Sequence, residues 1–531
     1  MQVDVKQLSK QLTQGKITRR AFMEGAAAAG LTVSAATAMM GKAIAATPKR
    51  GGHCRIGMGH GSTTDSLDPA TYENGYINTL THNTHARLTE VAPDISLRGE
   101  VAESWEASTD ASVWTFKLRK GVEFHNGKTV TAEDVIASYN HHRGEDSKSA
   151  AAPIVAPITD IKADGDDTVV FTLESGNADF PFIATDYHLA ILPSKDGKPD
   201  VTTGTGAGSY KLAQHEPGVR SSVERFENHW DLDNRAFFDS GEILSIIDAN
   251  ARQNALVTGS IEVADRIDLK TVELLKRKPG VVVEDVTGYG HYTFPMLIDV
   301  PPFDNNDVRM ALKLSLDREQ LLQKILKGYG SVGNDHPISP ANRYMNRDMP
   351  QRSYDPEKAK WHLKQAGQEG LTVELSASDA AFAGAVDAAV LYKEHAAAAG
   401  INIEVVREPG DGYWSNVWLK KPWCACYWGG RPTEDWMFST AYQSGVPWND
   451  TNFNNERFDT LLTEARAELD ETKRRAMYYE MQEIVANEGG TVVPFFYNYV
   501  NAHSDKIILP EVVAGNWELD GARLLERWWF A

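Results

Sequence analysis

The chain has 531 residues, 42% hydrophobic and 24% charged, the balance of a globular protein with room for about three folding units. Its formal charge of −19 excludes a non-specific nucleic-acid binder, which needs a basic surface to neutralise phosphates. Three cysteines, Cys54, Cys424 and Cys426, are too few for a disulfide framework or a four-cysteine zinc site.

The first 45 residues read as an export signal. Thr18-Arg19-Arg20-Ala21-Phe22-Met23 precedes a weakly apolar, Ala-rich stretch from Gly25 to Met40, and Lys42 leads into Ala43-Ile44-Ala45, a small-residue cleavage motif. The pattern resembles a twin-arginine signal, with Glu24 where a lysine is usual, and cleavage is expected near Ala45. Cys54 lacks a lipobox, so no lipid anchor is expected. The segment carries six Lys/Arg against two Asp/Glu, which leaves the remaining 486 residues at −23. The expectation is an acidic, soluble, periplasmic protein, away from the ATP and NAD that a cytoplasmic enzyme would use.

Mixed α and β elements follow. Trp114, Phe116 and Leu118 alternate as in a half-buried strand, and Val169, Phe171 and Leu173 repeat the pattern. Between them Thr131-Ala132-Glu133-Asp134 predicts a capping box opening a helix with Val135, Ile136 and Tyr139 on one face. Asp317 predicts the cap of a helix carrying Leu321, Leu322, Ile325 and Leu326, and Asp355-Pro356 predicts another helix start. Phe458, Leu461, Leu462 and Ala465, then Tyr478, Met481, Ile484 and Val485, are helical in spacing. Gly489-Gly490 ends that region and Val492 to Phe496 reads as extended.

Catalytic motifs fail on spacing. Gly121 and Gly127-Lys128-Thr129 mimic a phosphate loop, but five residues separate the glycines where four are needed, and the segment reads as a hairpin. There is no G-x-S-x-G and no H-E-x-x-H. His82 and His85 alone make no metal site, and Cys424 and Cys426 read as small buried hydrophobes.

Residues 97–140 carry a family resemblance: Leu97 to Glu103 with Trp105, then Trp114 to Lys128 with Phe124-His125-Asn126-Gly127, then Thr131-Ala132-Glu133-Asp134-Val135. Further matches follow in order at Gly204 to Leu212, Asn250 to Gly259, Pro301-Pro302-Phe303-Asp304 with Val308 to Leu312, Asp317-Arg318-Glu319, Tyr354 to Ala359, and Phe453 to Asp459. Together they resemble the peptide-, oligopeptide- and nickel-binding class, family 5, of ABC-transporter solute-binding proteins.

The resemblance implies an α/β, two-lobe periplasmic-binding-protein fold with an extra subdomain in lobe one and a two-strand hinge. Lobe one would span 46–290, lobe two 291–500, and 501–531 would return to lobe one, with crossings near Tyr292–Asp299 and Val492–Tyr499. It implies a non-enzymatic monomer with no cofactor and no metal. Such a protein captures a peptide or peptide-like small solute between its lobes and delivers it to an inner-membrane ABC permease.

Residues 414–448 hold six of the thirteen tryptophans. Trp428, Gly429, Gly430, Arg431, Trp436, Trp414 and Tyr442 are the candidate ligand-binding residues, with His291 as an eighth. For the tryptophans the alternative is an ordinary core. In peptide-binding relatives an aspartate after the matching tryptophan often holds the peptide's ammonium; Gly430 and Arg431 stand there instead, which argues against free peptides. Arg431 either faces the cleft, where its guanidinium fork suits an acidic group on the solute, or pairs with Glu434 or Asp435 on its own loop. Two other functions use these side chains differently: an exported hydrolase with Glu434 and Asp435 as carboxylates, and a metal-chelate receptor with His82 or His291 as a ligand.

Overall fold

The computed structural model describes residues 48–144, 147–410 and 413–531, with Ala21, Phe22 and Ala29. The export signal and its cleavage point otherwise lie outside the described residues. No helix among the described residues is long and apolar enough to cross a membrane.

Two long strands organise the chain. Val281–Pro295 and Thr491–Ser504 are rich in β-branched and aromatic residues, and they pair antiparallel from Val281 opposite Ser504 to Pro295 opposite Thr491. Their register breaks midway: Thr287 faces Asn498 and His291 faces Phe496, so residues 288–290 stand opposite Tyr497 alone. A Cβ on Gly290 would lie 2.0 Å from the Tyr497 ring, so only glycine lets that ring cover the bulge.

This pair sits inside a mixed sheet of nine strands among the described residues. On one side His53–Met58 runs parallel to Ser240–Ser245 and Val263–Ala264, and the hairpin Tyr210–Glu216 and Arg220–Arg225 extends the sheet. On the other side Cys426–Trp428 pairs with the first crossing strand and Gly330–Val332 with the second.

Cores lie at both ends of the crossing. Ile56, Tyr76, Tyr210, Ile243 and Trp528 fill one, closed by the C-terminal residues: the Tyr210 hydroxyl donates to the Leu525 carbonyl at 2.9 Å. Beside it an antiparallel sheet of four strands, Ala102–Ala107, Val113–Leu118, Thr168–Leu173 and Ile158–Ala163, packs Trp114, Phe116 and Phe171 against Tyr139 of the helix Ala132–Asn140. Beyond the crossing, Phe294, Leu312, Tyr392 and Trp423 form one core, and Phe438, Phe458, Leu462 and Tyr478 another.

The local signals hold. Thr131 and Asp134 form the capping box. Asp317 and Asp355 accept from Gln320 N and Lys358 N at helix starts. The segment around Gly127 is a hairpin, with Phe124 N donating to Lys128 O at 2.8 Å. One reading is corrected. Glu434 and Asp435 are not on a loop but open the helix Glu434–Ala441, whose cap Thr433 accepts from Trp436 N. Acids in a first turn complement the helix dipole, which is why this stretch is helical.

Candidate functional site

Strand Cys426–Trp428 ends against the crossing, with Trp428 opposite His291, and the chain then turns through Gly429, Gly430 and Arg431 into the helix Glu434–Ala441. A Cβ on Gly430 would lie 1.8 Å from Tyr289 Cβ, so this turn presses backbone directly onto the crossing strand. Arg431 is thereby set at the edge of the sheet, where the two halves of the molecule face each other.

A cavity of about 540 Å³ opens there, within the size range of small-molecule sites. Tyr72, Glu73, His82, Asp186, Tyr187, Trp517 and Arg523 come from the N-terminal half and the C-terminal return; Gly430, Arg431, Pro432, Trp436, Thr440 and Trp448 come from beyond the crossing. A larger, more open depression of about 800 Å³ near Asn140 and Arg143 draws on one half only, whereas the smaller cavity is walled from both.

Arg431 has no acidic hydrogen-bond or ion-pair partner among the described residues. Its Nη1 donates to the carbonyls of Gly429 at 2.8 Å and Gly430 at 3.4 Å, and its guanidinium lies 5.7 Å from the Trp436 ring centre. Burial pulls its pKa below the ordinary arginine value, with Tyr187 and Asp186 opposing only in part. Pairing with Glu434 or Asp435 is overturned. Glu434 accepts from Tyr344 N at 2.6 Å, while Asp435 accepts from Arg466 Nε at 3.0 Å. Those two carboxylates diverge and do not line the cavity, which removes the hydrolase reading built on them.

The other candidates separate. Trp436 lines the cavity. Trp428 is buried at its rear, where its Nε1 and that of Trp418 both donate to Asp450 Oδ2 at 3.2 Å. Asp450 is pushed up to about 6 by burial, which the two indole donors partly offset. Trp448 packs 6.2 Å from both Trp418 and Trp428 and reaches the cavity. Trp414 is exposed and packs edge-on against Trp418 and Tyr427, away from the cavity. Tyr442 is core, edge-on to Phe438. His291 is fully buried, 5.5 Å from the Phe496 ring, and burial lowers its pKa to about 3, so it is neutral and closed off from the cavity.

Sequence reasoning missed the opposite wall. Asp186 and His188 are joined there at 2.7 Å, and Tyr187 meets Trp517 edge-on at 5.7 Å. The clustered Asp186-Tyr187-His188 was the available signal, but Trp517 lies 330 residues away and nothing local ties the two together. His82, considered only as a metal ligand, does line the cavity. Its Nδ1 donates to Asn78 O at 2.8 Å, and burial beside Arg87 and Arg523 holds it neutral. No group of three or more metal-ligating side chains occurs among the described residues.

Residues 96–450 match the family model described as bacterial extracellular solute-binding proteins, family 5. The glutathione-binding protein GsiB of Pectobacterium atrosepticum is 24% identical over 468 residues, 84% of this chain and 89% of that protein. The Helicobacter pylori periplasmic binding protein DppA, solved with the peptide STSA, superposes with a TM-score of 0.71 at 23% identity, covering 91% of this chain and 98% of that one. AgaA of A. tumefaciens R10, solved with agropinic acid, gives 0.70 at 22% identity over 90% and 99%.

Proposed function

The chain belongs to the bacterial extracellular solute-binding proteins of family 5, and on that premise we propose that it captures a small peptide-like solute bearing an acidic group. It is the binding component of an ABC importer, not an enzyme. One observation carries the finer reading: a cavity walled from both sides of the crossing holds a half-buried guanidinium that bonds no acid among the described residues. A carboxylate or phosphate on the solute would offset the desolvation that Arg431 bears alone. GsiB and AgaA, whose names and ligands are acidic small molecules, are compatible company.

We take residues 46–290 with 501–531 as lobe one and 291–500 as lobe two, hinged on Val281–Pro295 and Thr491–Ser504. Solute held between them stabilises a closed form, which a monomer presents to the inner-membrane permease. Arg19 and Arg20 direct export through the twin-arginine route, with cleavage near Ala45. Replacing both by lysine leaves precursor in the cytoplasm; normal export of that variant would assign the general secretory route instead.

The test is mass spectrometry of the solute released from protein purified from its own host, followed by titration calorimetry. The released solute carries an acidic group. Arg431→Ala weakens its binding by about 30- to 4,000-fold, the loss of a charge-assisted pair worth about 2–5 kcal/mol. A solute without an acidic group, or a change under about threefold, would remove the acid-binding reading.

A further inference from the structure

The two halves of the molecule also meet away from the cavity. Asp179 caps the short helix Phe180–Ile183 in the N-terminal half, and its side chain is 1% exposed. Its partners come from beyond the first crossing strand. Arg474 Nη1 donates to Asp179 Oδ1 at 2.8 Å and its Nη2 stands 2.7 Å from Oδ2, while Arg343 Nη2 donates to Oδ1 at 2.9 Å. The Arg343 guanidinium also lies 4.8 Å from the Phe182 ring centre. Backbone closes the same seam: Ala178 N donates to Arg466 O at 2.7 Å. Asp179, Arg343 and Arg474 are not in the wall of the cavity.

The two arginines are braced on their own side. Arg474 lies one turn into the helix Glu471–Glu488, where its Nε donates to Ala465 O at 2.9 Å. That helix ends at Gly489, whose carbonyl accepts from the buried Lys313 Nζ at 2.7 Å, and the crossing strand Thr491–Ser504 begins two residues on. Arg343 sits between Asn342, whose Nδ2 donates to Arg431 O at 3.3 Å, and Tyr344, whose N donates to Glu434 Oε1. The seam is thus tied through one arginine to a crossing strand and through the other to the turn that carries Arg431.

Burial alone would raise the Asp179 carboxyl, but Arg474 and Arg343 outweigh it and hold its pKa below the ordinary value. These charges complete one another only while the two halves are together. In a separated form water takes up all three. Removing one partner therefore penalises the joined form alone, where the remaining charge stays buried without its counter-charge.

We infer that Asp179 with Arg474 and Arg343 is a latch, which holds lobe one to lobe two in the absence of solute. It sets the fraction of the protein that is closed, and the apparent affinity for a solute scales with that fraction whatever the solute's chemistry. The inference rests on the division into two lobes proposed above and makes no use of the charge on Arg431.

The test is hydrogen exchange at the Ala178 amide, whose acceptor lies across the seam, in protein dialysed free of solute. The amide is protected in the wild type. Arg343→Gln speeds its exchange about 10-fold or more, the loss of one hydrogen bond to a charged group. Asp179→Asn speeds it about 100-fold or more, the loss of a buried counter-charge. Small-angle scattering gives both variants a larger radius of gyration than the wild type. The Leu312 amide, inside the helix Asn306–Leu314, keeps its rate, which separates opening of the seam from unfolding. Arg343 has a side chain 27% exposed, so its variant decides the matter if Asp179→Asn does not fold. An Ala178 amide that exchanges freely in the solute-free wild type overturns the latch and leaves two lobes that part unaided. An amide equally protected in the wild type and Arg343→Gln, with an unchanged radius, overturns the latch and counts against moving lobes as well. Neither result bears on the acid-binding reading, because no solute is present.

Discussion

Arg523 and Arg431 line the same cavity from opposite walls, and they are held in opposite ways. Arg523 is buried among Glu90, Glu100 and Glu526. Burial works against its charge, yet those carboxylates outweigh burial and hold its pKa well above the ordinary value. Arg431 is half-buried and bonds no carboxylate among the described residues, and desolvation outweighs the pull of Tyr187 and Asp186, so its pKa falls. The same side chain is therefore two different objects. A charge fully compensated by fixed partners projects little field into the space beside it and serves the architecture. A charge left with two carbonyls bears a desolvation cost that a ligand can offset, which is why recognition is proposed for it.

The comparison breaks if the two arginines respond alike to removal. Arg523→Ala has the largest expected effect, a loss of about 3–5 kcal/mol of stability, because three buried carboxylates lose a shared partner. Urea denaturation measures it. Arg431→Ala should leave that midpoint within about 0.5 kcal/mol and act on solute affinity alone. Equal losses of stability would show that Arg431 is structural after all. Gly430→Ala sharpens the contrast at the second wall: its Cβ would overlap Tyr289, so the turn must move away from the crossing strand. A loss of about 1–3 kcal/mol is expected, as for overpacking, read as a lower melting temperature together with weaker solute binding. The smallest effect is at Asp450. Its pKa is held near 6, above the ordinary 3.8, so between those values the folded chain keeps a proton that the unfolded chain releases. Its contribution to stability is full below about pH 3.8, falls as pH rises through 6, and is flat above. Asp450→Asn should flatten that slope in a series of melting curves while keeping an acceptor for both indoles; an unchanged slope would place the titration elsewhere.

What could be read from the chain alone divides by range. Thr131, Asp317 and Asp355 announce helix starts because a cap is chemistry between neighbours three residues apart. The strands around Trp114 and Phe171 announce themselves by alternation. The helix at Glu434 passed for a loop because its first turn is acidic and follows Gly-Gly-Arg-Pro, although Thr433 before two acids was a usable signal. The tryptophan-rich stretch marked the right region, but density does not give direction. Trp423 points into the core, Trp418 and Trp428 clasp Asp450, and Trp436 and Trp448 reach the cavity, according to where each stands relative to a short strand and two turns. The first wall was illegible for a different reason. Glu73 and Tyr187 stand 114 residues apart, and Trp517 joins them only after the chain has run through both long strands, and no local pattern encodes that meeting.

Residues 288–290 face Tyr497 alone, and Gly290 bares its backbone beneath that ring. A twist of one lobe against the other must stretch paired amides wherever the two crossing strands are in register. Where three residues share one opposite number there is less to stretch, so the ribbon resists a twist less there than where it is in register. The phenol ring adds no obstacle, since an aromatic face slides over a bare peptide plane without meeting a side chain. The bulge lies one residue from the position where Trp428 abuts His291, and the turn carrying Arg431 begins just beyond it. The loosened segment of the ribbon thus adjoins the turn that carries Arg431, so in the proposed binding mode a pull on Arg431 is applied beside it.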